Sequence, residues 1–243
     1  MLTCHSDATN REAWVNFKDD IKKNLPPLAG IINGAVVLQD QMFLDMDIDV
    51  FNKTLAPKID STIHLDEVFR DALLDFFIVF SSLSSIIGNR GQANYNAANA
   101  FMTSLVRQRL SRGQAASVLH LGSVVGVGFL TRAGDVMETI LVKYGYMPVS
   151  EVDLHHLVAQ SIMAGLPDSG ENPDLITGLR YAREDEETGV HWASNPRFSH
   201  MILQPEKEGV ETGEKKAVLS ARAQLAAATS EVEACQALEC KCC

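Results

Sequence analysis

The sequence predicts an α/β chain built on a doubly wound, parallel sheet. Three observations carry that reading: apolar runs bounded by turn-forming residues, helical patterns in the gaps, and the alternation of the two along the chain. Leu28–Leu38 is apolar except for Gly30, Asn33 and Gly34, follows Pro26-Pro27 and stops at Gln39-Asp40. Such a run reads as a strand buried on both faces. Leu74–Phe80 reads the same way and stops at Ser81-Ser82. Ala115–Leu121 is a third strand, entered from Arg112-Gly113 and left through Gly122, and Asp174–Leu179 is a weaker fourth.

Helices fill the intervals. Asn10 is placed to cap a helix from Arg11 to about Lys23, with Trp14, Val15, Phe17 and Ile21 as its apolar positions. Thr62 to Leu74 carries Ile63, Leu65, Val68, Phe69 and Leu73 among acidic residues. Ala93 to Leu110 ends in Arg107 and Arg109, with Gly113 just beyond, which suits a helix C-terminus. Trp192 and Phe198 read as core, and His155-His156 as a helix surface rather than a metal site.

The composition narrows the function. Of 243 residues, 46% are hydrophobic and 21% charged, so a sizeable core is available. Lys and Arg number 21 against 31 Asp and Glu, and a net charge of −10 repels nucleic-acid backbones and anionic membranes. No stretch approaches the roughly 18 apolar residues of a spanning helix. Met1–Asp7 lacks the basic-then-apolar order of a secretory signal. Four of the five cysteines (Cys235, Cys240, Cys242 and Cys243) crowd the C-terminus, which points to a reduced, cytoplasmic protein. They lack the second, well-separated pair of a zinc site. From Gln204 the composition turns charged and then Ala-rich, so residues 1–203 are expected to form the domain and 204–243 a linker and tail.

The segment Phe80–Ala100 carries the chemistry. Ser82 stands at the C-terminal end of a central strand, where open α/β sheets place ligands. A loop containing Gly88 and Gly91 leads into a helix that opens with Tyr95, thirteen residues after Ser82. Asn99 follows one turn later on the same face. Around this constellation stand Ile32-Asn33-Gly34-Ala35, Leu38-Gln39-Asp40, Ala56-Pro57-Lys58-Ile59-Asp60, Asn94–Phe101 and Ser194-Asn195-Pro196-Arg197-Phe198. Together, from Met1 to about Ile202, they resemble the short-chain dehydrogenase/reductase family. More closely, they resemble the ketoreductase domains of fungal highly reducing polyketide synthases and their nonribosomal-peptide hybrids.

The resemblance implies a Rossmann-type fold in which NADPH reduces a β-keto thioester, bound to an acyl carrier, to the β-hydroxy form. Tyr95 would donate the proton. A phenol has an ordinary pKa of about 10, which a nearby ammonium lowers. Lys58, from an upstream helix, would supply that ammonium and hold the nicotinamide ribose. Ser82 would bond the substrate oxygen where charge develops. Asn99 would position Lys58 and a relay water. By the same resemblance Asp7 lies near the adenine, Asn33, Gly34 and Ala35 belong to the cofactor pocket, and Asp40 occupies a position tied to the stereochemical course. No metal is implied.

No G-x-G-x-x-G turn occurs in the sequence; Gly122-x3-Gly126-x-Gly128 follows a late strand instead. The resemblance sets Met1–Asp7 at the end of the family's third strand, so the first two strands and the phosphate-binding turn are expected to be missing, and the chain truncated at both ends. Two expectations follow. The strand at Leu28 becomes an open edge, and the chain alone binds NADPH weakly or not at all. It is then either a partial ketoreductase that needs a second chain to supply the missing half, or a catalytically inactive remnant of a secondary-metabolite synthase that acts as a partner-binding module.

Overall fold

The computed structural model describes residues 5–125, 145–184 and 190–203. The chain divides into units Met1–Gln204 and Pro205–Cys243. The expected linker, tail and cysteine cluster lie outside the described residues, as do Gly126 and Gly128.

In chain order the elements are α1 (Arg11–Asn24), β1 (Gly30–Asn33), α2 (Ile48–Val68), β2 (Phe76–Ser82), α3 (Ser84–Ile87), α4 (Ala93–Ser111), β3 (Ser117–Leu121), α5 (Glu151–Ala164), β4 (Asp174–Ile176), β5 (Ala182–Arg183), a 3-10 turn (Pro196–Met201) and β6 (Ile202–Leu203). The first four strands form one sheet in the order β1-β2-β3-β4, with every neighbouring pair parallel. Helices α1, α2 and α4 bury Ile21, Leu65, Phe69, Met102 and Val106 against Phe77 and Val79 on one face. On the other, Leu119 and Leu175 meet Ala164 of α5. The sheet is thus covered on both sides, as the alternating pattern predicted.

Local chemistry explains where several elements start and stop. The Asn10 side chain accepts hydrogen bonds from the backbone N–H groups of Glu12 and Ala13, and Lys22 and Lys23 occupy the last turn of α1. Ser150 and Asp153 exchange bonds in a capping box at the start of α5. Gly113 takes φ +70° just after α4, a conformation that favours glycine. Trp192 and Phe198 are buried together, their rings edge to face at 5.5 Å, against Leu83 and Ile87 beside the β2 exit.

Two elements differ from the sequence reading. The Leu28–Leu38 strand is only four residues long, because Asn33 breaks it: its side-chain oxygen turns back to accept from Ala35 N–H. Nor is it buried on both faces: among the described residues β1 is the edge of the sheet, and Ile32 is 44% exposed. The expected Thr62–Leu74 helix is α2, which begins at an Asp47 cap and ends at Val68. Pro57 hid its first half, because proline usually ends a helical pattern. Here the helix runs through it, and Ser61 and Thr62 donate back to the carbonyls of Pro57 and Lys58. Beyond Val68 the chain turns, leaving Leu73 97% exposed.

Candidate active site

The site is assembled at the C-terminal end of β2 from α2, α4 and the turn between them. Ser82 closes the strand, and its Oγ accepts from Ser84 N–H at 3.2 Å. Ser84 Oγ bridges Ser82 Oγ (3.0 Å) and Asn96 Oδ1 (2.9 Å), which ties the strand end to α4. Asn94 fixes the start of α4 on three sides. Its oxygen accepts from Tyr95 N–H at 2.8 Å, and its amide donates to Thr54 Oγ1 (3.0 Å) and the Gln39 carbonyl (3.2 Å).

A clasp brings Asp40 to the same place. Gln41 N–H donates to the Gly91 carbonyl at 2.9 Å, and Gln92 Nε2 donates to Asp40 Oδ2 at 2.9 Å. Gly91 has φ +79° and passes close to the Gln41 backbone.

Lys58 projects from α2 into this cluster and is 2% exposed. Its ammonium donates to the Phe80 carbonyl at 2.9 Å and stands 5.3 Å from the centre of the Tyr95 ring. Burial lowers its pKa to about 8, because the charged form is poorly solvated there. Burial also pushes the Tyr95 phenol above its ordinary range; the Asn99 and Ser82 side chains oppose that rise and the Asp40 carboxylate adds to it. Asn99 donates from its amide to the Tyr95 carbonyl at 2.9 Å, and its Oδ1 is buried without a hydrogen bond of sound geometry among the described residues.

The structure therefore brings Lys58, Ser82, Tyr95 and Asn99 together, with Asp40 held alongside by Gln92. Two details differ from the expected division of labour. Among the described residues no hydrogen bond joins Asn99 to Lys58, whose ammonium is held by Phe80. The net shift of the Tyr95 phenol is upward, because burial outweighs the groups that oppose it.

The remaining candidates lie elsewhere. Asn33 is buried and donates to Ser61 Oγ (2.8 Å) and Thr62 Oγ1 (2.9 Å), locking β1 to the turn of α2 that follows Lys58. Asn33, Gly34 and Ala35 line an apolar groove of about 330 Å³ between α1 and β1, with Ala8 and Trp14. Asp7 is exposed; Thr9 donates to its Oδ1 from N–H (2.9 Å) and Oγ1 (2.8 Å), which holds its carboxyl below the usual range.

The unpaired Asn99 Oδ1 and the spare N–H donors of Lys58 suit the hydroxyls of a nucleotide ribose. These residues therefore fit the nicotinamide-ribose end of NADPH. With no G-x-G-x-x-G turn in the sequence, they supply no matching cradle for its phosphates.

Sequence reasoning placed Asn94 and His120 in their segments but gave neither a part. An imidazole in the middle of an otherwise apolar strand was the available signal for the second, since a buried polar ring requires partners.

Comparison with known proteins gives the family of the chain. The KR domain family matches residues 1–126. The hybrid PKS-NRPS synthetase traA of Penicillium crustosum is 45% identical over 234 residues, covering 96% of this chain and 6% of that protein. The corresponding synthetase mycA of Thermothelomyces thermophilus is 44% identical over 212 residues, covering 87% and 5%. The chain thus spans about one-twentieth of the length of these relatives. Among solved structures, PlmKR1, the ketoreductase from the first module of phoslactomycin biosynthesis in Streptomyces sp. HK803, superposes with a TM-score of 0.65 at 28% identity, covering 73% of this chain and 39% of that one. A ketoreductase domain from the bacillaene assembly line gives 0.61 at 27% identity, covering 70% and 41%. With its parallel sheet and the Ser82–Tyr95–Asn99 spacing, this chain belongs to the KR domain family, the ketoreductases of polyketide synthases.

Proposed function

We propose that this chain forms the catalytic part of a ketoreductase that reduces a carrier-bound β-keto thioester to the β-hydroxy thioester. The observation that carries this reading is the convergence of Lys58, Ser82, Tyr95 and Asn99 from three elements at the C-terminal end of a parallel sheet. When bound, NADPH supplies the hydride.

The chain's own residues manage the proton and the developing charge. Burial keeps the Tyr95 phenol protonated at neutral pH, so it holds the proton that the substrate oxygen requires. Lys58, with a pKa of about 8, is mostly an ammonium at pH 7 and favours the phenolate left after transfer. Ser82 donates to the substrate oxygen as negative charge builds there. Asn99 Oδ1 accepts from a water that returns the proton to Tyr95. Lys58 and Asn99 also hold ribose hydroxyls. Asp40, fixed by Gln92, steers which face of the ketone is presented.

The sequence has no G-x-G-x-x-G turn, so the phosphate end of the cofactor is assigned to the nucleotide-binding part of a ketoreductase, on the same polypeptide or on a second one. An alternative, a partner-binding module without catalysis, is favoured by the exposed β1 edge, where Val36 and Val37 follow Ile32 at the surface. Among the described residues no helix is long and apolar enough to cross a membrane.

The two readings separate in a complementation assay. The chain is mixed with the nucleotide-binding half of a related ketoreductase, and NADPH binding is followed by fluorescence of Trp14 and Trp192. Binding together with turnover of a β-keto thioester supports the reductase. A complex that assembles, binds NADPH and never turns over supports the module.

A further inference from the structure

Beside the proposed reductase site runs a second polar chain that the mechanism above leaves unused. The Ser85 hydroxyl donates to the Ser82 carbonyl at 2.7 Å. His120 Nδ1 stands 3.3 Å from Ser85 Oγ, and Ser81 Oγ stands 3.4 Å from it. On the far side of the ring, His120 Nε2 faces Asp174 Oδ1 at 3.1 Å, and Arg107 pairs with the other carboxylate oxygen at 2.8 Å. His120 is 2% exposed. The chain therefore crosses three neighbouring parallel strands, from the end of β2 through β3 to β4.

The hydrogen bonds have a definite sense. A carboxylate only accepts, and the bond from His120 is the main reason the Asp174 carboxyl lies below its usual range. Nε2 thus carries the donated proton. In the neutral ring Nδ1 is then an acceptor facing the Ser85 hydroxyl, which also faces the Ser82 carbonyl. The single Ser85 proton is shared between these two acceptors as a three-centre bond, with a shorter branch to the Ser82 carbonyl (2.7 Å) and a longer one to Nδ1 (3.3 Å), so Ser85 is held from two sides and Ser82 is held through Ser85.

We infer that His120 is a positioning residue for Ser82: oriented by Asp174, it fixes Ser85, which in turn fixes the peptide that aims the Ser82 hydroxyl at Tyr95 and the substrate oxygen. The geometry does not favour a nucleophilic role for Ser85, because the shorter branch of its hydrogen bond goes to the Ser82 carbonyl rather than to the imidazole. The inference rests on the reductase reading above.

The test reads the position of Ser82 through its neighbour and needs no turnover. Tyr95 is observed in the full chain by NMR with tyrosine labelled at Cζ, assigned with Tyr95→Phe, and its phenol is titrated. Lys58 and Asp40 are the charged groups facing that phenol, and they remain in every other variant. Ser82→Ala removes a group that favours the phenolate, so it raises the Tyr95 midpoint. Ser85→Ala and His120→Gln raise it in the same direction, because the first removes the tether and the second keeps only the Asp174 contact. His120→Asn, whose amide stands where Nδ1 stood, leaves the midpoint at the wild-type value. Unchanged Tyr146 and Tyr181 signals confirm that each variant is folded, and the half-buried Ser85 carries the test should a His120 variant unfold.

If Ser82→Ala raises the midpoint while Ser85→Ala and His120→Gln do not, the positioning role is wrong and the reductase site stands. A rise with both His120 variants alike makes the ring packing rather than a tether and also overturns the inference. If Ser82→Ala itself leaves the midpoint in place, Ser82 does not serve Tyr95, and the site reading fails together with the inference.

Discussion

Lys58 provides the sharpest energetic prediction, because the reductase reading requires a buried cation and buried cations are costly. Its pKa falls from 10.5 to about 8 on folding, through burial. At 1.36 kcal/mol per pKa unit, that shift corresponds to a cost of about 3 kcal/mol when both states are protonated. The sign follows from the proton balance. Below pH 8 folded and unfolded chains both carry the proton, and the full cost is present. Between pH 8 and 10.5 the unfolded chain keeps a proton that the folded chain has lost, so stability rises with pH. Above 10.5 the cost is gone.

Lys58→Met removes the titration and also the bond to the Phe80 carbonyl, a pH-independent loss of about 1 kcal/mol. At pH 7 the variant is therefore expected to be more stable than the wild type by about 2 kcal/mol. From pH 7 to pH 10 the wild type gains about 2.5 kcal/mol on the variant. Urea unfolding of both proteins at each pH, followed by tryptophan fluorescence, measures the difference and largely cancels groups common to both. A difference that stays flat within about 0.5 kcal/mol would refute the buried, depressed lysine. The same ionisation makes any proton transfer aided by the ammonium weaken as pH rises through 8.

Three further outcomes follow from the packing. Asn33→Ala is expected to cost about 2 kcal/mol in urea unfolding: it strips the acceptor from Ala35 N–H, while Ser61 and Thr62 keep their bonds to α2 carbonyls. Asp66→Ala should cost about 3–5 kcal/mol, because it leaves Arg109, which is 1% exposed and stacked on Phe77, without its carboxylate; thermal unfolding by calorimetry reports it. Gly178→Ala should destabilise by more than about 2 kcal/mol in the same assay, since φ is +81° and a Cβ would lie 2.7 Å from Gly122 Cα.

The elements that were legible in the sequence are those whose causes are local. The Asn10 cap, the basic end of α4 with Gly113 beyond it, and the strand cores at Phe76–Phe80 and Ser117–Leu121 each follow from a few neighbouring residues. What escaped depends on distant partners. The β1 run reads as fully buried because hydrophobicity records what a strand is suited to cover, whereas its exposure is set by its place at the edge. Asn33 meets its partners 28 and 29 residues later, and no periodicity reveals that. Lys58 alone reads as a solvated side chain; the family resemblance singled it out, and the structure shows why an amine can be buried there, with a strand carbonyl as its acceptor. His120 was placed in the right strand but given no part, because Ser85 and Asp174 join it only across the sheet.

The most direct test of the reductase site is turnover by a single polypeptide that joins this chain to the nucleotide-binding half of a related ketoreductase. With NADPH and a β-keto acyl thioester, product is read as the β-hydroxy thioester by mass spectrometry. The account predicts turnover in the fusion and a loss of roughly 100-fold or more in Tyr95→Phe, with NADPH affinity retained. A folded fusion that binds NADPH and reduces the thioester equally well without the Tyr95 hydroxyl would contradict it.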